Sequence, residues 1–316
     1  MSLFKVVLQW LSLLSLTLIV FYLYLISVRY ETNVHHPQVT KIPSSSSSKG
    51  KFTGINDYIS YMTSHFQLKP EMEKGLKPEF GPVLNNVNFT YAINPIRDKC
   101  RDTNLFIVVV SAPANYIQRK LIRTTWATHL IGSTRYAFLI GSTNRPKIQK
   151  KINNESSIYE DLIQVDMLDT YMNLTLKSVA LLHWSFHFCS GARFILKCDD
   201  DIYINMRNLH VVIQQLPSKT PKVYGTAVTN LKPLRPLINK SNQPADDSDK
   251  WIVNQEMWPW STYPTYVSGG CYLIDSIAIG PLLAAAQTTP YFPFEDLYVN
   301  GLCARKAEVQ VLASDL

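Results

Sequence analysis

Phe194-Ile195-Leu196-Lys197-Cys198-Asp199-Asp200-Asp201-Ile202-Tyr203-Ile204 is an apolar run that opens directly into three consecutive carboxylates. In extended backbone successive side chains alternate, so Asp199 and Asp201 project to one side and Asp200 to the other, and the first two can share one cation. Hard divalent ions such as magnesium or manganese take oxygen ligands and are commonly held by one or two carboxylates plus the phosphates of a substrate. The triplet therefore reads as a metal site with a nucleotide diphosphate beside it, against the plainer reading of a solvated acidic turn. Its position favours the site, because ligands of α/β sheets collect at the carboxyl ends of strands. The strand is expected to continue through Ile202-Tyr203-Ile204.

Upstream, Leu105-Phe106-Ile107-Val108-Val109-Val110 is a short continuous apolar run of the kind found in parallel strands buried on both faces. Gln118 to His129 reads as a helix, Tyr136-Ala137-Phe138-Leu139-Ile140 as a second strand ending at Gly141, and Thr175 to Phe188 as a helix leading into the acidic strand. This alternation predicts an α/β domain with a mostly parallel central sheet covered by helices. The ends of the first strand and of the acidic strand should face one crevice.

The chain has 316 residues, 46% of them hydrophobic, enough for a sizeable core. Val6 to Val28 contains no charged residue and is long enough to cross a bilayer, with Lys5 and Arg29 bracketing it. A cleaved signal peptide is the competing reading, although Tyr24-Leu25-Ile26-Ser27-Val28 offers no small-residue cleavage site. Glu31 to Lys51, with Pro37, Pro43 and the run Ser44 to Ser48, cannot bury a core and reads as a flexible stalk. Phe52 to Lys99, broken by Pro70, Pro78, Pro82 and Pro95, reads as a stem packing onto the main domain. The expected organisation is a tail over 1–5, an anchor over 6–28, a stalk over 29–51, a stem over 52–99 and the main domain over 100–316.

Sequons at Asn88, Asn154, Asn173 and Asn239 point to a lumenal or extracellular surface. Cys100, Cys189, Cys198, Cys271 and Cys303 all lie beyond the anchor, which allows two disulfides and a spare thiol in an oxidising compartment, or five buried reduced cysteines. The net charge of +7 comes from 31 basic and 24 acidic side chains dispersed without a tight basic run, so nucleic acid is not the expected partner.

A series of short motifs runs along the chain: Ala92-Ile93-Asn94-Pro95 with Cys100; Arg119-Lys120-Leu121-Ile122-Arg123-Thr124-Thr125-Trp126; Phe138-Leu139-Ile140-Gly141; Asp166 to Lys177 with Asp169, Tyr171 and Asn173; Trp184, Cys189 and the acidic triplet; Lys250-Trp251; Tyr263-Pro264-Thr265-Tyr266-Val267-Ser268-Gly269-Gly270; and Glu295-Asp296-Leu297-Tyr298-Val299. Each motif is weak alone, and the ordered series from Ala92 to Lys306 is strong. Its order resembles the β1,3-galactosyltransferase family of Golgi glycosyltransferases, which includes β1,3-N-acetylglucosaminyltransferases.

The resemblance implies one nucleotide-sugar-binding domain of GT-A type in a single-pass type II Golgi membrane protein with the domain lumenal. It implies inverting transfer of galactose or N-acetylglucosamine from a UDP-sugar to a hydroxyl of a glycan acceptor on a glycoprotein or glycolipid, and homo- or hetero-oligomers with other glycosyltransferases. Inversion needs a general base and something to neutralise the departing diphosphate. Asp201, with Asp199, would hold manganese on the UDP phosphates, and Asp200 would reach the ribose or donor sugar. Arg119 and Arg123 are candidates for UDP contact or, equally, for structural salt bridges. Asp296 is the candidate base with Glu295 in reserve, the alternative being acids at a helix start. Gly269 and Gly270 would let the backbone approach the donor, and Trp251, Trp260 and Tyr266 would form an acceptor platform. The implied disulfides are Cys100–Cys189 and Cys271–Cys303. A family histidine that completes the metal site has no counterpart at a matching position, since neither His187 nor His210 sits there. That departure keeps a second reading, a non-catalytic homologue that binds UDP-sugar or glycan or assists a partner enzyme. A prenyl-diphosphate enzyme and a calcium loop fit less well, for want of suitably spaced acids.

Overall fold

A computed structural model describes residues 50–70, 75–96, 100–217, 220–236 and 250–314. The expected tail, anchor and most of the stalk, together with Asn239, lie outside the described residues. Among the described residues no helix is long and apolar enough to cross a membrane.

The strand Phe194–Asp199 (β5) lies near the centre of an eight-stranded sheet. Its neighbour on one side is the parallel strand Leu105–Val110 (β2), which pairs in turn with Thr134–Ser142 (β3), and β3 with Leu162–Leu168 (β4), all parallel. On its other side Tyr266–Asp275 (β7) runs antiparallel, followed by Lys222–Val228 (β6), antiparallel to β7, and Gln310–Ala313 (β8), parallel to β6. Tyr91–Ile93 (β1) closes the far edge antiparallel to β4. The sheet is thus mixed, with a parallel core of four strands in the expected α/β class.

Period-two alternation divides the core. Phe106, Val108 and Val110 face one hydrophobic cluster, while Leu105, Ile107 and Val109 face another. The first is covered by the helices Leu174–Phe188 (α4) and Ser276–Thr288 (α6), whose buried residues Val179, Leu182, Trp184, Leu282 and Leu283 belong to it. The second is covered by Tyr116–Thr124 (α2), Pro146–Tyr159 (α3) and Met206–Gln215 (α5), through Ile122, Ile152, Leu209 and Ile213. These are the helices on both faces that parallel crossovers require.

Two local expectations are corrected, and two further segments are placed. Strand β5 stops at Asp199; the chain turns over Asp200 and Asp201, with Ile202 N donating to Asp199 O at 3.3 Å, so Ile202 to Ile204 do not extend it. Helix α2 ends at Thr124 and Trp126–His129 forms a separate 3₁₀ turn, because Thr125 takes a non-helical backbone conformation. The stem is built into the domain: β1 joins the sheet, and the helix Ile55–His65 (α1) buries Tyr58 and Met62 in the main cluster. Strand β7 carries Gly269-Gly270 where its pairing to β6 is irregular, with Gly225 opposite Tyr272 and Ala227 opposite Val267.

Candidate functional site

The site is built around Lys197. Two residues before Asp199, it lies on the same face of β5 and is fully buried. Its ammonium donates to Asp199 Oδ1 at 2.6 Å, to Glu295 Oε1 at 3.1 Å and to the carbonyl of Gly269. Three donors therefore meet three acceptors from three separate segments. Burial alone would pull the Lys197 ammonium down, but Glu295 and Asp199 outweigh it and hold it above the usual lysine range. Glu295 is satisfied on its other oxygen by Ser178 Oγ at 2.8 Å and Tyr272 Oη at 3.2 Å.

Asp296 sits differently. Its Oδ2 accepts from Gly269 N at 3.0 Å and its Oδ1 from Leu297 N at 2.8 Å, the latter capping a π-helical stretch over Leu297–Cys303. No cation contacts it among the described residues. Burial, reinforced by the neighbouring Glu295 charge, pushes its carboxyl up to about 6. Burial also raises Asp199, against the opposing pull of Lys197.

These groups line one cavity of about 470 Å³, with Asp199 and Asp201 on one wall, Asp296 and Gly269-Gly270 on another, and Trp251 at the rim. The close approach of Gly269 is required, since a Cβ there would meet Glu295 Oε1 at 2.6 Å. Asp201 is exposed and makes no hydrogen bond or ion pair among the described residues. Asp200, in the turn, points away and accepts from Ser111 Oγ at 2.6 Å and Asn115 Nδ2 at 2.9 Å beyond the end of β2. Nearby, Lys177 ties the same end of β2 to Asp169, donating to Ser111 O at 2.7 Å and Asp169 Oδ2 at 2.6 Å.

Neither arginine lines the cavity. Arg119 is 1% exposed; it grips Glu155 in a bidentate pair and donates to Ser111 Oγ and the carbonyls of Ala112 and Pro113. Arg123 pairs with Asp161 and Glu155 and stacks on Tyr159 at 3.9 Å. The planar fork that suits phosphate suits these buried carboxylates as well, and they take it. The expected platform is likewise split. Trp251, 41% exposed, stands edge-on to Tyr171 at 6.0 Å and Phe294 at 5.4 Å. Trp260 is buried against Phe52, Tyr58 and Tyr61 under α1, and Tyr266 is buried beside Gly301.

Cys100 and Cys189 form a disulfide, whereas Cys271 and Cys303 do not. Cys271 packs with the cluster under α2, α3 and α5 and faces Cys198 across the β5–β7 ladder, while Cys303 is buried in the opposite cluster. The sheet itself separates the expected pair. Asn88 and Asn154 are exposed; Asn173 is half-buried, with its Nδ2 on Leu168 O at 2.9 Å.

Among the described residues no group of three or more His, Cys, Asp or Glu side chains stands ready to hold a metal. His187 stacks with His183 on α4 and His210 bonds Gln214 on α5, so neither reaches the cavity. The donor set that does reach it, the unengaged Asp201 carboxylate and the second oxygen of Asp199, fits a hard divalent cation that takes its remaining ligands from a diphosphate and water. Sequence reading did not single out Lys197, Ser178 or Tyr171 for roles at the site. Lys197 carried a usable signal, a lysine two positions before an acid in an otherwise apolar strand.

Residues 117–315 match the galactosyltransferase family model. Lactosylceramide 1,3-N-acetyl-beta-D-glucosaminyltransferase B of Xenopus laevis is 34% identical over 233 residues, 70% of this chain and 59% of the relative. Lactosylceramide 1,3-N-acetyl-beta-D-glucosaminyltransferase of Mus musculus is 30% identical over 276 residues, 81% and 69% of the two chains. Human beta-1,3-galactosyltransferase 5 is 31% identical over 217 residues, 67% and 66%. The family match runs from α2 to the end of β8 and so takes in the acidic turn, the glycine-bearing strand and the Glu295-Asp296 pair together; the chain belongs to the galactosyltransferase family.

Proposed function

We propose that this protein transfers galactose or N-acetylglucosamine from a UDP-sugar to a hydroxyl of a glycan acceptor in β1,3 linkage, with inversion. The observation that carries the reading is one cavity with an unengaged acid, Asp201, on one wall and on the other a carboxyl without a counter-ion, Asp296, raised to about 6. A base with that value is ionised at neutral pH and still holds a proton well enough to take one from an attacking hydroxyl. Asp296 is fixed by two backbone N–H groups, leaving lone pairs for the acceptor proton. Asp201 and Asp199 would hold manganese or magnesium, which when bound supplies Lewis-acid neutralisation of the leaving diphosphate. Trp251, Tyr171 and Phe294 offer apolar faces at the rim on which a pyranose ring can lie. The acceptor would be a glycan on a lipid or protein, and the domain would work in the Golgi lumen behind the 6–28 anchor.

The test is UDP release from a panel of UDP-sugars by a secreted fragment beginning near Lys51, with manganese or with chelator, beside Asp201→Ala. Turnover that needs the metal and is lost in Asp201→Ala supports the transferase and identifies its donor. UDP binding without turnover on a broad acceptor panel sinks it in favour of the non-catalytic homologue, a reading kept open by the capping of Asp199 by Lys197.

A further inference from the structure

A second cavity, of about 490 Å³, opens between α2 and α3 on the face whose buried floor is Arg119 and Glu155. It lies in the size range of small-ligand pockets, about 300–1,000 Å³, and none of its lining residues belongs to the cavity that holds the acids. Its apolar wall continues onto an exposed patch: Tyr116, Ile117, Leu121, Ile158 and Tyr159 are 38%, 62%, 56%, 61% and 41% exposed. An apolar patch of this kind marks a surface that something covers. Asn154 is itself part of the lining, one helical turn from Ile158 and opens the sequon Asn154-Glu155-Ser156. Its side-chain amide makes no hydrogen bond among the described residues and is exposed, unlike that of Asn173, which is engaged by Leu168.

We propose that Asn154 carries an N-linked glycan whose first sugars lie in this cleft and cover its apolar wall. The inference rests on the lumenal placement given under the proposed function. A pyranose has one face of C–H bonds, which suits the rings of Tyr116 and Tyr159, while its hydroxyls turn outward to water. The glycan would thereby replace an aggregation-prone patch with a hydrated one. The occupant is this chain's own modification because its attachment point forms part of the cleft wall.

The test uses the full chain expressed in eukaryotic cells with glycan processing arrested at the high-mannose stage. Glycopeptide mass spectrometry should find Asn154 occupied, and endoglycosidase H should release its glycan several-fold more slowly than that of Asn88 from native protein, the two rates converging after denaturation. Ser156→Ala and Asn154→Gln, each checked for fold by circular dichroism, should raise bis-ANS fluorescence several-fold over the parent. A bare Asn154 beside an occupied Asn88 overturns the inference and leaves the lumenal placement standing, as do equal release rates or unchanged dye binding; the cleft would then be open to a partner. If no sequon is occupied, the lumenal placement has failed and the inference with it.

Discussion

Asp296 and Glu295 are adjacent acids held in different ways. Glu295 is locked into a buried pair with Lys197 and two hydroxyl donors, while Asp296 keeps only backbone partners and has its carboxyl lifted to about 6. A base must be deprotonated to act, so lowering the pH through about 6 protonates Asp296 in the free protein and should produce the acid limb of the kcat/KM profile near that value. Asp296→Asn should lower kcat by about 10²–10⁴-fold, the usual contribution of a general base. Steady-state kinetics across pH checks both, and an Asn variant of near-normal kcat would remove Asp296 from the chemistry. Lys197→Met leaves Glu295 buried and unpaired, which should cost about 3–5 kcal/mol in urea unfolding. Pairing it with Glu295→Gln should recover part of that loss, because the two sites are coupled. At this scale the sequence was legible where a local period governs: alternation along β5 puts Lys197 and Asp199 on one face, whereas Asp201 reaches the cavity through the turn that ends the strand. The arginines were not legible, because the acids that claim them lie 32 to 38 residues away in sequence, on and just after α3.

Among the elements, β2, β3 and β5 could be read directly because strands buried on both faces have no polar side to interrupt the apolar run. Strand β4, Leu-Ile-Gln-Val-Asp-Met-Leu, carries Gln164 and Asp166 and looks mixed; β7 contains Ser268-Gly269-Gly270, which reads as a loop until the acids that need its close approach are in place. The disulfide acts at the same scale. Cys100, just before β2, is joined to Cys189 at the end of α4, at a sequence separation of 89. Removing it by Cys100→Ala and Cys189→Ala together should cost about 2–5 kcal/mol by chemical denaturation. In unreduced, unfolded protein, thiol titration should count three free cysteines, as Cys198, Cys271 and Cys303 are unpaired. A count of one would show a second disulfide, which peptide mapping would assign to Cys271–Cys303 or to Cys198–Cys271; only the former overturns the assignment of Cys271 and Cys303 to opposite faces of the sheet.

For the whole molecule, the segment read as a stem contributes side chains to the buried core. Helix α1 brings Tyr58 to 0% exposure against Trp258 and Trp260, with its hydroxyl on Pro290 O at 3.1 Å, only a few residues before the acid pair. Prolines break any long element over 52–99, and the packing partners of α1 are aromatic residues some 200 positions later, which no window of sequence displays. A fragment beginning at Gln67 should therefore lose soluble yield and melt well below one beginning near Lys51, as burial of large apolar side chains contributes about 1.5–3 kcal/mol each. Differential scanning fluorimetry of the two fragments decides it; equal melting temperatures would show α1 to be dispensable. The sheet's own borders have a further consequence. Its outermost strands, β1 and β8, contain three and four residues, so each rim exposes only a short row of unpaired backbone groups. A stray strand from another molecule finds almost no template there, and the eight-stranded sheet stays finite even at high protein concentration.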